Sequence, residues 1–259
     1  MLLEGPKLLE GQRILITGAS RGIGRATAIE CARHGADVAL NVFNDDEAAR
    51  SLADEIAALG RKAVVFNGDV ADPDSAPAFI TAAVAGLGGV DHLVSNAGIC
   101  PFHSFLDMPR ATLRRTMEVN LFGAYYMCQA AANQMVKQGT GGSLIAISSI
   151  SALVGGEMQS HYTPTKAGVH SLMQSTAIAL GRHGIRCNSV MPGTIATDIN
   201  KDDLADTKKR AYMESRIPLG RLGVPSDIGK VVVFLASDLA SYVTGASVLA
   251  DGGAFVNLQ

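Results

Sequence analysis

Short apolar, β-branched runs alternate with longer stretches of helical spacing along almost all of this 259-residue chain, and that alternation is its strongest constraint. The apolar runs lie at 13–17, 37–42, 62–66, 90–95, 143–148, 186–190 and 247–250. Helical patterns at 22–34, 45–59, 74–86, 111–137, 163–182 and 225–236 separate them. Strands joined through helices run parallel, and a parallel sheet buries both faces, so its strands read as continuous apolar runs. The expected fold is α/β: a single-domain Rossmann-type doubly wound parallel sheet of about seven strands with helices on both faces. Gly35, Gly60 and Gly184 stand where helical patterns end, as left-handed caps do. No Pro/Ser linker or composition shift divides the chain, so residues 1–259 read as one dinucleotide-binding and catalytic domain. The sequence LLEG occurs at 2–5 and again at 8–11, and residues 1–10 read as a flexible leader.

Composition removes several classes of function. Apolar residues make up 47% and charged residues 18%, the balance of a globular chain rather than a disordered one. Lys+Arg 22 against Asp+Glu 24 leave a net charge of −2, which offers no basic surface to nucleic acid or anionic lipid. Trp is absent, which argues against a base-stacking platform. No apolar stretch reaches the length of a membrane span. Cys31, Cys100, Cys128 and Cys187 form no CxxC pair, and no His or Cys lies at metal-ligand spacing. We read four free thiols in a reducing, cytoplasmic setting, and no metal.

Open parallel sheets bind ligands at the carboxyl ends of their strands. After the first run come Gly18, Ser20, Arg21, Gly22, Ile23 and Gly24, a G-x3-G-x-G loop that opens a helix. Glycines there let backbone approach a pyrophosphate, whose charge then sits at a helix N-terminus. A tight turn without ligand is the plainer reading of such glycines alone. Asp69 and Val70 follow the third run, where the acid could accept from an adenine amino group or cap the next helix. Asn96, Ala97 and Gly98 follow the fourth, a small turn that lets a ring or ribose pass. The second run ends in Asn41-Val42-Phe43-Asn44-Asp45-Asp46, with neither the acid that holds ribose hydroxyls nor a clear basic clamp. Arg21 could reach a 2′-phosphate, which Asp45 and Asp46 would disfavour if close. NAD or NADP is the expected cofactor, with neither strongly preferred.

Tyr162 and Lys166 stand four residues apart, on one helix face. Half-ionising a tyrosine near neutrality takes roughly 3 pKa units, or about 4 kcal/mol. One cation at about 4 Å in an effective dielectric of about 20 supplies that much, so Lys166 alone could turn Tyr162 into a base. Ser149, at a strand's carboxyl end thirteen residues before Tyr162, can hydrogen-bond a substrate oxygen beside the phenol. Asn120, unfavourable inside a helical pattern, could hold a water that relays protons from Lys166. Pro192, Gly193, Thr194, Ile195 and Thr197 follow the sixth run; the Ile195 N–H and a threonine hydroxyl could meet the nicotinamide carboxamide.

The order and spacing of these motifs, from Arg13 to Asp251-Gly252-Gly253, resemble the short-chain dehydrogenase/reductase family. The resemblance implies that Tyr162 is the acid/base and Ser149 orients the substrate oxygen. It also implies that Lys166 binds the nicotinamide ribose and tunes Tyr162, and that Asn120 supports the relay. Residues 99–106, the stretch from Ser148 through Gln159 and His161 to Lys166, residues 193–200 and the end Phe255-Val-Asn-Leu-Gln259 are similar to sugar 1-dehydrogenases acting on L-rhamnose and related aldoses. That similarity implies oxidation of an anomeric C1 hydroxyl to the lactone, and a homotetramer with the helices at 111–137 and 163–182 at an interface. Ser149, Ser151, Gln159, Tyr162, Thr194 and Asn200 are the expected sugar contacts, because a sugar's hydroxyls need replacement hydrogen bonds. His103 and His161 read as substrate contacts or solvated neighbours. A 3-oxoacyl-thioester reductase is the alternative on the same scaffold, with Arg110, Arg114 and Arg115 as its basic patch. A sugar 1-dehydrogenase for another aldose, such as glucose or a sulfonated sugar, is a second alternative, and a non-catalytic dinucleotide-binding regulator a third. Lys- and Asp-rich residues 201–216 read as a mobile substrate cover or a solvated helix.

Overall fold

The computed structural model describes residues 7–200 and 204–257. Seven strands form one parallel sheet: β1 (Arg13–Thr17), β2 (Asp37–Val42), β3 (Ala63–Asn67), β4 (His92–Ser95), β5 (Gly142–Ile147), β6 (Ile185–Pro192) and β7 (Ser247–Ala250). Their order is β3-β2-β1-β4-β5-β6-β7, so the direction of progression reverses between β1 and β4. A crevice opens at such a reversal, where the loops after neighbouring strands turn to opposite faces.

The sheet is apolar on both faces for a visible reason. Along β1, Ile14 and Ile16 enter one buried cluster and Leu15 the other, following the two-residue period of a strand. The first cluster packs under α1 (Gly22–Arg33), α2 (Asp46–Ala58) and a late helix, Pro225–Ala236. The second packs under α3 (Ser75–Leu87), the α4 (Arg110–Met117) to α5 (Gly123–Gln138) run and α6 (Thr163–Leu180). Thr207–Ser215 forms α7, and Pro225–Ala236 is α8. Gly35, Gly60 and Gly184 take φ values of 97°, 74° and 69°, the left-handed geometry expected of them.

Two expectations need correcting. The helix expected at 111–137 is interrupted by a π turn, Glu118–Phe122, between α4 and α5. Residues 8–11 are not a flexible leader. They form a turn whose Leu9 is fully buried, with the Leu9 N–H donating to His34 O at 2.9 Å and Glu10 paired with Arg61 at 3.0 Å. Residues 1–6 lie outside the described residues.

Candidate active site

The loop from β1 into α1 makes the floor of the site. Gly18 and Gly22 have φ of 62° and 54°, which side chains rarely adopt. A Cβ on Gly18 would come within 2.9 Å of Ala97 Cα, and one on Gly24 would overlap the Gly18 carbonyl oxygen. The loop therefore lies against both its own helix and the turn after β4. Asn96 fixes this contact: its Nδ2 donates to Thr17 O (2.9 Å) and Gly18 O (3.1 Å). Thr17 Oγ1 accepts from the N–H groups of Asn96 (2.9 Å) and Ala97 (3.0 Å). No side chain caps α1, whose N-cap is Arg21, so the positive end of that helix has no internal anion.

From this floor a cleft of about 760 Å³ runs between the β1 and β4 loops. Arg21, Phe43 and Asp69 line one end, and Ser149, Tyr162 and Lys166 the other. Gly18, Ser20, Gly22, Ile23, Val70, Asn96, Ala97, Gly98, Pro192, Gly193, Ile195, Thr197 and Asn200 line it as well. A bare-backbone floor, an uncapped helix N-terminus and an elongated cavity of this size fit a dinucleotide. Gly193 is possible only without a side chain, since its Cβ would stand 2.8 Å from Asp251 Cα; Asp251 is itself held by the Gly253 and Phe255 N–H groups.

At the far end, Tyr162 is the N-cap residue of α6, and Lys166 N–H donates to its carbonyl at 3.2 Å. The Lys166 ammonium lies 5.5 Å from the Tyr162 ring centroid and donates to Ile147 O at 2.9 Å. Burial lowers Lys166 to about 8. Burial also pushes the Tyr162 phenol up, with the Cys100 thiol adding to the rise and a hydrogen bond from Ser149 opposing it. The expectation that Lys166 alone acidifies Tyr162 is thus not met in the protein by itself. The amine donates to a backbone carbonyl, and burial works against the charged form of both groups.

Asn120 stands behind Gly98 rather than in the cleft. Its Oδ1 accepts from Ile99 N–H (2.8 Å), and its Nδ2 donates to Ile99 O (2.9 Å) and Thr165 Oγ1 (3.2 Å). The π turn brings it there, and its amide bonds the loop after β4 and Thr165. Asn200 lines the cleft and also ties the 195–200 turn: its Oδ1 accepts from Thr197 N–H (3.0 Å) and its Nδ2 donates to Ile195 O (2.9 Å).

Gly24, Ser151, Gln159 and Thr194 do not line the cleft. Ser151 N–H donates to Ser149 Oγ (3.0 Å), and Gln159 Nε2 approaches Cys100 Sγ at 3.7 Å, which places both just beyond Ser149. His161 is fully buried, and that burial lowers its pKa, so it is no solvated neighbour. Phe43, Cys100 and Arg115 line the cleft, although the sequence assigned none of them to the site. Cys100 could have been found by continuing the Asn96-Ala97-Gly98 turn two residues. Arg115 pairs with Asp69 at 2.8 Å, and its guanidinium carbon lies 5.9 Å from the Phe43 ring centroid. Arg114 pairs with Glu118 at 3.4 Å, so two of the three arginines of the supposed basic patch carry their own counter-ions.

The thiols of Cys31, Cys100, Cys128 and Cys187 are free, and burial raises Cys31 and Cys128 to about 12. Among the described residues no group of three or more His, Cys, Asp or Glu could hold a metal, and no helix is long and apolar enough to cross a membrane.

The sheet order and the cleft are those of a dinucleotide-dependent oxidoreductase, and the chain belongs to the short-chain dehydrogenase/reductase family. A family model described as Enoyl-(Acyl carrier protein) reductase matches residues 18–254. More narrowly, the chain is 68% identical over 253 residues to an L-rhamnose 1-dehydrogenase (NAD(P)(+)) of Sphingomonas sp. (strain SKA58), covering 98% of this chain and 100% of that protein. It is 63% identical over 255 residues to an L-rhamnose 1-dehydrogenase (NAD(P)(+)) of Azotobacter vinelandii, covering 97% and 100%. Among solved structures, a putative 2-deoxy-D-gluconate 3-dehydrogenase of Agrobacterium tumefaciens with bound NADP matches with a TM-score of 0.89 at 34% identity, covering 97% of this chain and 99% of that one.

Proposed function

We propose that this protein oxidises an aldose, L-rhamnose, at C1 to the lactone, using NAD or NADP. The observation that carries the reading is the meeting of Tyr162, Ser149 and Lys166 at one end of a cleft whose other end is the glycine floor. Identity of 68% with an L-rhamnose 1-dehydrogenase supports the sugar. When bound, the dinucleotide supplies a hydride acceptor for the hydrogen on C1. Tyr162, acting as the phenolate, takes the C1 hydroxyl proton and becomes the phenol, while the C1–O bond becomes the lactone carbonyl. Ser149 donates to the same oxygens and keeps them in line. Lys166, anchored on Ile147 O, binds the nicotinamide ribose in this reading, while Asn120 holds the Ile99 backbone across Gly98. Gly18, Ser20, Arg21, Gly22, Ile23 and Gly24 form the pyrophosphate loop, with Asp69, Val70, Asn96, Ala97 and Gly98 along the adenosine and ribose path. Pro192, Gly193, Ile195 and Thr197 face the nicotinamide. Ser151, Gln159, Thr194 and Asn200 supply hydrogen-bonding groups for the sugar's remaining hydroxyls.

The pairing of Arg114 and Arg115 with internal acids weakens the acyl-carrier alternative. Unpaired thiols fit a cytoplasmic enzyme. Exposed Phe122, Tyr125 and Ile178, in the π turn, α5 and α6, fit packing within a homotetramer. The test is a panel of L-rhamnose, L-lyxose, L-mannose, D-glucose and a 3-oxoacyl thioester with each dinucleotide, read at 340 nm with the product analysed as lactone. L-rhamnose should give the highest kcat/KM; turnover of the thioester with none of the sugars would overturn the reading.

A further inference from the structure

We propose that Asp45 sets the coenzyme selectivity of the cleft by holding the Arg21 guanidinium that a 2′-phosphate would otherwise recruit. The inference deepens the reading of the cleft as an NAD or NADP site and rests on it.

Strand β2 stops at Val42, and Phe43 stands next, half exposed and lining the cleft. An acid there would select for unphosphorylated ribose through its hydroxyls; phenylalanine selects for neither form. Discrimination therefore passes to the charges beyond it. Asn44 is the sole described non-glycine residue with positive φ (52°), and its N–H donates to Asn67 Oδ1 at 3.3 Å. That left-handed residue turns the chain back toward the glycine loop and brings Asp45 Oδ2 to 2.9 Å from Arg21 Nη2. The Arg21 side chain is 64% exposed and the Asp45 side chain 23%, so the arginine reaches into the cleft mouth while its counter-ion sits behind it. Asp45 is also the N-cap residue of α2, yet its carboxylate makes no capping bond; its described partner is Arg21.

The corner as a whole does not favour a dianion. Arg21 and Arg115 face three carboxylates: Asp45, Asp69 paired with Arg115, and Asp46 accepting from Asn67 at 2.7 Å. A 2′-phosphate gains charge-assisted bonds only by sharing or displacing the Asp45–Arg21 pair. An exposed pair of this kind is worth up to about 1 kcal/mol, which corresponds to about fivefold in affinity. A handicap of that size weakens the phosphorylated cofactor without excluding it, and dual use follows.

The experiment measures equilibrium binding of 5′-AMP and 2′,5′-ADP, which differ by the 2′-phosphate alone, to the full chain by calorimetry. NAD+ and NADP+ are run in parallel. Asp45→Asn should tighten 2′,5′-ADP about fivefold while moving 5′-AMP less than about twofold. Arg21→Ala should remove that gain in the double variant, as a coupled pair requires. Asp46→Asn should leave the ratio of the two ligands unchanged. An Asp45→Asn ratio equal to that of wild type overturns the proposal. So does loss of 5′-AMP and NAD+ affinity in Asp45→Asn, which would make Asp45 a ribose ligand, and so does an equal gain in Asp46→Asn, which would reduce the effect to bulk charge. Failure of the wild-type protein to bind any of the four ligands is a different result, visible before any variant is made, and overturns the cleft reading itself.

Discussion

The two ends of the sheet are built from the same residue types and treat them oppositely. At the amino ends of the strands, polar groups satisfy one another. Arg13 forks onto Asp91 with bonds of 2.7 and 2.6 Å. His92 bridges Ser143 (2.7 Å) and Gln12 (3.2 Å), and Gln138 both accepts from and donates to the Val90 backbone. At the carboxyl ends, no side chain caps the α1 N-terminus, and the Tyr162 phenol and Lys166 ammonium are buried without an ionic partner among the described residues. The first arrangement closes the hydrogen-bonding account inside the protein; the second leaves capacity that a ligand completes. A binding site in this fold is legible as the place where polar satisfaction stops.

The comparison can be broken by moving a defect from one end to the other. The largest effect expected is Tyr162→Phe. It should cost about 10³-fold or more in kcat, the upper range for a lost acid/base group, with dinucleotide affinity and Tm nearly unchanged. A fall in Tm of many degrees would mean that the phenol belongs to the structural class. Next comes pH. Burial depresses His92 to about 4 from its usual 6.5. The unfolded chain therefore takes up a proton that the folded one refuses. Stability is lost as pH falls from about 6.5 to about 4, by up to about 3 kcal/mol. His92→Gln should flatten that part of the urea-unfolding profile and leave kcat at neutral pH alone. Asp91→Asn breaks the half-buried fork on Arg13 and should cost about 2 kcal/mol of stability, again with activity per folded molecule preserved. The smallest effect sharpens the comparison at the active end. Thr165 Oγ1 donates to Tyr162 O at 2.7 Å and receives Asn120 Nδ2 at 3.2 Å, fully buried. Thr165→Val should cost about 1 kcal/mol in stability and lower kcat several-fold, with Thr165→Ser restoring both.

What the sequence made legible, and what it did not, divides along the same physical line. β1, β2, β7 and α8 appear where the apolar periods place them, since each period is a local property of the chain. The glycine loop and the Tyr162–Lys166 spacing were readable for the same reason: the chemistry needs those residues within a turn or two of one another. The π turn was hidden because an i→i+5 bond leaves no apolar period of its own. The allocation of side-chain amides was hidden too. Asn120 and Asn200 could equally have faced ligand or backbone, and only the distant loop after β4 and the local fold of the 195–200 turn decide. The spacing did not show the bond from Lys166 to the carbonyl of Ile147, nineteen residues away on β5.

The π turn has a consequence for anyone who would shorten or transplant this scaffold. It accommodates one residue more than a regular helix of the same rise. Deleting a single position among 118–122 would give a straighter and locally more comfortable rod, and would flatten the bulge that carries Asn120 toward the loop after β4. Asn120 could then no longer grip the Ile99 backbone, and the shelf beneath Gly98 would lose its bracket. The extra residue behaves as a shim, and an alignment that treats it as a gap to be tidied away would erase the registration of the active site.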